Sequence, residues 1–350
     1  MKTQVIKVDA LNPEIDKIRE AALILARGGL VAFPTETVYG LGVNLEDKKA
    51  IARLYEVKNR PRDKPLSIHI AHEHDIERFA GDISPYIWRI INKFWPGPLT
   101  LVLRSRSNGN VGLRMPNNKI ALSLLAEAGV PVVAPSANLS SNPPPKDADS
   151  VLKDLDGRID LIIDGGQVEL GVESTVVDVT SLPIKILRSG AINITMLEKL
   201  SQSKEVLFVC TGNSCRSVMA QYLLEKELKS LKKTSICVSS CGVSAIEGLG
   251  ASSSVISLLK EEGVDAKRHL TVRLSREIVL RADVVLVMET MHKREIERMY
   301  PEFIDKVYLL SEFADNIAVI VDDPIGKPQE GYRECYLQIK KLVKKVAKKI

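Results

Sequence analysis

One stretch constrains the fold of this 350-residue chain more than any other. An apolar run, Val206–Val209, leads into Cys210-Thr-Gly-Asn-Ser-Cys-Arg216-Ser217, and a helical pattern with Met219, Ala220, Leu223 and Leu224 on one side follows. The order is strand, tight loop, helix. Such a loop aims several backbone N–H groups and the positive end of a helix dipole at one point. A phosphate dianion fits that cradle, whose residues are Thr211, Gly212, Asn213, Ser214 and Cys215, and the same field favours a thiolate at Cys210. Arg216 can grip two phosphoryl oxygens with its planar fork. Gly212 and Asn213 tolerate the positive φ the turn needs. Ser217 is placed to donate a hydrogen bond to the thiolate. A cysteine nucleophile also needs an acid for its leaving group. Asp323 in Val321-Asp-Asp-Pro324 is the candidate, with Asp322 the alternative.

Strand and helix patterns alternate along the whole chain, which predicts α/β architecture. The length suits two domains. All five cysteines lie at or beyond position 210. That distribution predicts a reducing compartment and a boundary shortly before Cys210. Ser201–Lys204 has linker composition, so the expected domains are residues 1–203 and 204–350. In the first, Asn12-Pro13 reads as the start of a helix running to about Arg27 and closed by Gly28-Gly29. Strands are expected at Leu30–Phe33, Leu66–Ile70, Leu99–Leu103, Val130–Ala134, Leu161–Ile163 and Thr175–Val179, and a short helix at Ile194–Leu200. No apolar run reaches the roughly 18 residues of a membrane span, and the N-terminal segment lacks the core of a secretory signal. A cytoplasmic protein with no membrane partner is expected. The net charge of +5 divides as +1 for residues 1–200 and +4 for the rest. Six late lysines, Lys340, Lys341, Lys344, Lys345, Lys348 and Lys349, read as the solvated face of a last helix.

Residues 205–350 resemble the low-molecular-weight protein tyrosine phosphatase family, through VCTGNSCRS at 209–217, SSCGVSAIEG at 239–248, ADVVLVM at 282–288 and DDP at 322–324. The resemblance implies a four-stranded parallel sheet without metal or cofactor. It implies catalysis by Cys210, Arg216, Asp323 and Ser217 on phosphoproteins. Two departures bear on the substrate. Ile325 stands where members acting on phosphotyrosine often carry an aromatic residue, and Ser214 stands where they have an aliphatic one. The protein-arginine phosphatase branch is similar at both places. Phosphoarginine is the favoured substrate and phosphotyrosine the alternative. Cys215 reads equally as a redox partner of Cys210 or as a small buried residue. Cys237, Cys241 and Cys335 lack zinc-ligand spacing.

The first 200 residues contain no Walker loop and no G-x-G-x-x-G. Instead, Phe33-Pro-Thr-Glu-Thr-Val-Tyr-Gly-Leu-Gly42 leaves a strand packed with hydroxyls and glycines. Lys58, Arg60, Arg62 and Lys64 crowd seven residues, and Arg114, Ala134-Pro-Ser136-Ala-Asn138 and Arg188 sit at strand ends. Cations at strand ends in a domain of near-zero net charge predict a focused anionic pocket. Together with FWPGPLTLVL (94–103), ESTVVD (173–178) and ILRSG (186–190), these segments resemble the YrdC-type L-threonylcarbamoyladenylate synthases over residues 5–200. That family's expected fold is a twisted mixed sheet with helices. Its reaction makes threonylcarbamoyl-AMP and pyrophosphate from L-threonine, bicarbonate and ATP with Mg2+, for N6-threonylcarbamoyladenosine in tRNA, so tRNA-modification partners are implied. The resemblance assigns Lys58, Arg60, Lys64, Asn110, Ser136, Asn138 and Arg188 to ATP. It assigns Thr35, His69, Arg114, Ala134 and Ser174 to threonine. No protein side chain is assigned to metal. The alternative for this domain is an RNA-binding module, which its charge and lack of stacking aromatics disfavour.

Overall fold

The computed structural model describes residues 2–350, which separate into two compact units, one ending at Ser201 and the other starting at Gln202. The first contains β1 (Gln4–Lys7), α1 (Ile15–Ala26), β2 (Val31–Phe33), β3 (Gly40–Asn44), α2 (Lys48–Val57), β4 (Ser67–His69), α3 (Ile76–Phe79) and α4 (Pro85–Phe94). It continues with β5 (Leu99–Arg104), β6 (Asn110–Arg114), α5 (Lys119–Glu127), β7 (Val132–Val133), α6 (Ala148–Leu155), β8 (Leu161–Asp164), β9 (Thr175–Asp178), β10 (Lys185–Arg188) and α7 (Ile194–Gln202). Its ten strands form one mixed sheet in the order β1-β8-β2-β3-β7-β4-β6-β5-β9-β10. Ile18 and Leu25 of α1 and Leu124 of α5 bury themselves against Val31, Phe33, Leu161 and Ile163 of the sheet.

Helix α1 starts at Ile15 rather than Pro13. The Asp9 carboxylate accepts the N–H groups of Leu11 and Asn12, and the Glu14 carboxylate accepts that of Asp9, which ties residues 9–14 into a turn. The strand expected at Val130–Ala134 shrinks to two residues, because Pro131 has no N–H to give. Asn110 opens β6, opposite Arg104. The expected linker is shorter than its composition implied: α7 runs through Gln202 and the next strand begins at Lys204.

The second unit contains β11 (Lys204–Cys210), α8 (Arg216–Ser230), β12 (Ile236–Gly242), α9 (Ser253–Glu261), α10 (Arg276–Arg281), β13 (Val284–Val287), α11 (Thr290–Met299), β14 (Val307–Leu309), α12 (Leu310–Asp315) and α13 (Gln329–Lys349). Its sheet is all parallel, in the order β12-β11-β13-β14. Helices cover both faces, so β11 is apolar without alternation. Val206 and Phe208 face a core with α8, α9 and α13, and Leu207 and Val209 face one with α10 and α11. On α13, Lys340 pairs with Glu262 and Lys345 with Asp315, and Lys349 donates to the Phe313 carbonyl, so that half of the lysine face is engaged rather than solvated. Among the described residues, no helix is long and apolar enough to cross a membrane.

Candidate active sites

In the first unit, strand alternation builds the site. Ser67 and His69 of β4, Thr100 and Val102 of β5, Asn110, Gly112 and Arg114 of β6, and Val176 and Asp178 of β9 line one cavity of about 770 Å3. Their neighbours Ile68, Leu101, Leu103, Leu113 and Val177 point the other way into the core. The registers Ser67↔Gly112, His69↔Arg114 and Thr100↔Val176 hold this floor together. Gly112 keeps it open, since a Cβ there would stand 2.8 Å from the Ser67 hydroxyl. Thr35, Arg60, Lys64, Ala134, Ser136, Glu173, Ser174 and Arg188 complete the walls.

The polar groups are held before any ligand arrives. Arg114, 5% exposed, donates to the Glu36 carboxylate at 2.9 Å and to the Thr37 hydroxyl at 2.7 Å. Glu36 is itself buried and accepts the Asn117 N–H. The Arg114 Nε is buried with no hydrogen-bond partner, as is that of Arg60. An unpaired buried donor of this kind is expensive. Burial, and then the Arg114 charge, push His69 down to about 3, so it is neutral. Its Nδ1 faces the Ser67 carbonyl at 3.3 Å, which leaves Nε2 as an acceptor. Arg188 is fixed by Glu173 at 2.6 Å, the Ser174 carbonyl at 3.0 Å and the Ser174 hydroxyl at 3.0 Å.

Two predicted residues do not line the cavity. Lys58 is 1% exposed, and its ammonium donates to the carbonyls of Ser136 and Asn138 and to the Asn138 side chain. Asn138 donates onward to the Asn142 carbonyl at 2.6 Å. The pair therefore braces the loop that presents Ser136. Burial, and then Arg60, push Lys58 down to about 7.

In the second unit, β11 ends on Cys210 and α8 begins on Arg216. Between them Asn213 takes φ +54°. Its N–H points at the Cys210 sulfur at 3.3 Å, and the Ser217 hydroxyl lies 3.0 Å from the same sulfur. The Asn213 amide bonds Ser217 and Ser240, and its oxygen accepts the Val272 N–H. Gly242 packs so closely beneath that a Cβ would lie 2.5 Å from the Thr211 carbonyl. Arg216, 2% exposed, donates to the Val321 carbonyl at 3.0 Å and pairs with Glu289 at 2.7 Å and Asp323 at 2.5 Å. Asp323 is anchored by the Ile325 N–H on its other oxygen, whereas Asp322 is exposed. The Cys215 sulfur lies 3.4 Å from the Ser252 hydroxyl, and all five cysteines are free. Burial pushes Cys335 up to about 12 and Cys241 higher still.

Reading the sequence missed Glu36, Glu289 and His292, whose Nε2 lies 2.9 Å from the Thr211 hydroxyl. Glu36 had a signal, as a lone carboxylate in a loop of hydroxyls and apolar residues. Glu289 and His292 stand three residues apart just past a buried strand and had only that spacing.

These sites define the classes: an α/β unit with a cation-walled cavity, and a parallel α/β unit with a cysteine in a phosphate loop. The Sua5/YciO/YrdC family model, described as telomere recombination, matches residues 23–190, and that of the low molecular weight phosphotyrosine protein phosphatases matches residues 205–350. The threonylcarbamoyl-AMP synthase of Pyrococcus abyssi is 47% identical over 193 residues, 53% of this chain and 57% of that protein. The chain thus spans little more than half the length of that curated relative. The structure of P. abyssi Sua5 complexed with L-threonine is similar at 31% identity and TM-score 0.55, covering 68% of this chain and 92% of that one. A low molecular weight protein tyrosine phosphatase from T. tengcongensis is 39% identical, covering 42% of this chain and all of that one, with TM-score 0.41. The YwlE arginine phosphatase of Geobacillus stearothermophilus is 38% identical, covering 42% of this chain and 92% of that one, with TM-score 0.39. The chain belongs to the Sua5/YciO/YrdC family through its first unit, and its second unit matches the low-molecular-weight phosphotyrosine phosphatase family model over residues 205–350.

Proposed function

We propose that the chain is a bifunctional cytoplasmic enzyme. Its first unit makes L-threonylcarbamoyl-AMP and pyrophosphate from L-threonine, bicarbonate and ATP, in support of N6-threonylcarbamoyladenosine formation in tRNA. The observation that carries this reading is the buried Arg114, braced by Glu36 and Thr37 at the floor of a cavity whose walls also hold Arg60, Lys64 and Arg188. Arg114 takes the threonine carboxylate. The neutral His69 Nε2 accepts a hydrogen bond from the threonine hydroxyl or amine, and Thr35, Ser174 and the backbone at Ala134 close round the rest. The amine adds to bicarbonate and loses water to give a carbamate. A carbamate oxygen attacks the α-phosphorus, and the bond to pyrophosphate breaks. Several anionic groups meet there, so positioning and charge neutralisation by Arg60, Lys64, Arg188 and Ser136 supply the catalysis. Mg2+ would accompany the triphosphate, held through its phosphate oxygens.

The second unit hydrolyses phosphoproteins, with phosphoarginine favoured over phosphotyrosine. Cys210 sulfur attacks phosphorus, the bond to the leaving nitrogen or oxygen breaks, and Asp323 hands that atom a proton. Water then attacks the phosphorus, the S–P bond breaks to return the Cys210 thiolate and release phosphate, and the Asp323 carboxylate takes the water's proton. A phosphoryl group in the loop would draw the Arg216 guanidinium from Asp323 and free the acid to act. Ser214 offers a small hydroxyl at the loop, and the exposed Ile325 offers no ring to stack on a phenol.

Two assays test the pair. Pyrophosphate release by the full chain is expected to require both threonine and bicarbonate, and release independent of threonine would contradict the first reading. Cys210-dependent hydrolysis is expected to favour a phosphoarginine peptide over a phosphotyrosine peptide, and Ser214→Ile to erode the preference. A wild-type preference for phosphotyrosine would leave a tyrosine phosphatase instead.

A further inference from the structure

The phosphate loop contains a hydroxyl whose proton has nowhere to go inside the protein. His292 is fully buried on α11, and its Nδ1 accepts the Glu289 N–H at 3.1 Å. A ring nitrogen that accepts carries no proton, so in the neutral ring the proton sits on Nε2. That Nε2 lies 2.9 Å from the Thr211 Oγ1 and must donate to it. Arg216 Nη2 approaches the same oxygen at 3.4 Å. With its lone pairs facing two donors, the Thr211 hydroxyl has only its own proton left to offer. Among the described residues no acceptor meets it.

We propose that Thr211 is a further binding residue for the phosphoryl substrate, donating this proton to a phosphoryl oxygen or to the leaving atom, and that His292 is the positioning residue that aims it. The inference rests on the phosphatase reading of the loop. Three observations hold it together. Thr211 follows the nucleophile directly and is half-buried, and its hydroxyl lies 3.4 Å from the Arg216 Nη2 that also meets Asp323. The donor that orients it cannot turn round, because the Glu289 N–H fixes the ring. The same Glu289 carboxylate holds the other arm of Arg216 at 2.7 Å, so one short segment sets both the guanidinium and the hydroxyl that would meet the phosphoryl group. A bond from this hydroxyl to a charged oxygen adds about tenfold to affinity for the phosphoryl group.

Variants separate positioning from architecture. His292→Asn keeps an acceptor for the Glu289 N–H and removes the Nε2 donor. His292→Gln keeps a donor near the Nε2 position. Thr211→Ser keeps the hydroxyl and Thr211→Val removes it. The full chain is titrated with inorganic vanadate by calorimetry and assayed on a phosphoarginine peptide. Thr211→Val and His292→Asn are each expected to weaken vanadate binding and lower kcat/KM about tenfold. Thr211→Ser and His292→Gln should recover most of the loss. In the double variant the two losses should not multiply, since His292 acts through Thr211. Multiplying losses, or a Thr211→Val chain that binds vanadate like the wild type, would overturn the proposal. A wild-type chain that binds vanadate yet hydrolyses neither peptide would defeat the phosphatase reading alone, and the binding series would still decide the role of Thr211. A wild-type chain that binds no vanadate would overturn the proposal as well.

Discussion

At the scale of single residues, the two sites use buried charge in opposite ways. Arg216 is nearly inaccessible and is paired with two carboxylates, Glu289 and Asp323. Asp323 is one of those partners, and its place in the proposed chemistry is proton transfer. Asp323→Asn should lower phosphatase kcat by about 10²–10⁴-fold while leaving vanadate affinity within a few-fold, measured by steady-state kinetics and calorimetry. An equal loss in both would make Asp323 a binding group only. Lys58 works through others. Its three oxygen acceptors ask for all three ammonium protons, while burial and Arg60 push it down to about 7. Lys58→Met should loosen the loop carrying Ser136 and cut threonine-dependent pyrophosphate release about 100-fold, the scale of a small misplacement of reacting groups.

At the scale of elements, what was legible in the sequence was local. The phosphate loop, the Asp-Pro turn and the cation cluster at 58–64 are contiguous motifs, and the first lies between a strand and a helix as its flanking pattern predicts. Glu36 escaped because its meaning lies in Arg114, 78 residues away. His292 escaped because it matters only beside Thr211, 81 residues away. Residues 9–14 were misread because an Asp9 turn outcompetes the Asn-Pro start signal. Strand alternation was legible at β5, but not that it lines a cavity, which needs the register between β4, β5, β6 and β9. Gly112→Val tests that floor. It should abolish synthesis while leaving the phosphatase rate and the melting temperature of the second unit unchanged, and retained synthesis would remove β6 from the site. Helix α11 makes a pH prediction. Burial, and then the Arg216 charge, push His292 down to about 4 from an ordinary 6.5, so the unfolded chain takes up the proton first. The stability that neutral His292 contributes is present above pH 6.5 and is lost as pH falls towards 4. Lowering the pH from 7 to 4.5 should reduce the melting temperature of the wild-type chain more than that of His292→Gln. Equal slopes would mean His292 is protonated throughout or titrates alike in both states.

At the scale of the whole molecule, the two proposed reactions share no intermediate, and each site is built from residues of one unit. Cys210→Ser should therefore leave pyrophosphate release unchanged, and Arg114→Ala should leave phosphatase turnover unchanged. A single measurement puts both activities in view: a 31P NMR time course of the full chain with ATP, L-threonine, bicarbonate and a phosphoarginine peptide. Pyrophosphate and a new adenylate mixed anhydride should grow in only when threonine and bicarbonate are present, while the phosphoramidate signal decays to inorganic phosphate only when Cys210 is intact. A spectrum in which ATP stays whole, or in which the phosphoramidate decays as fast with Cys210→Ser, would contradict the account of a two-site enzyme.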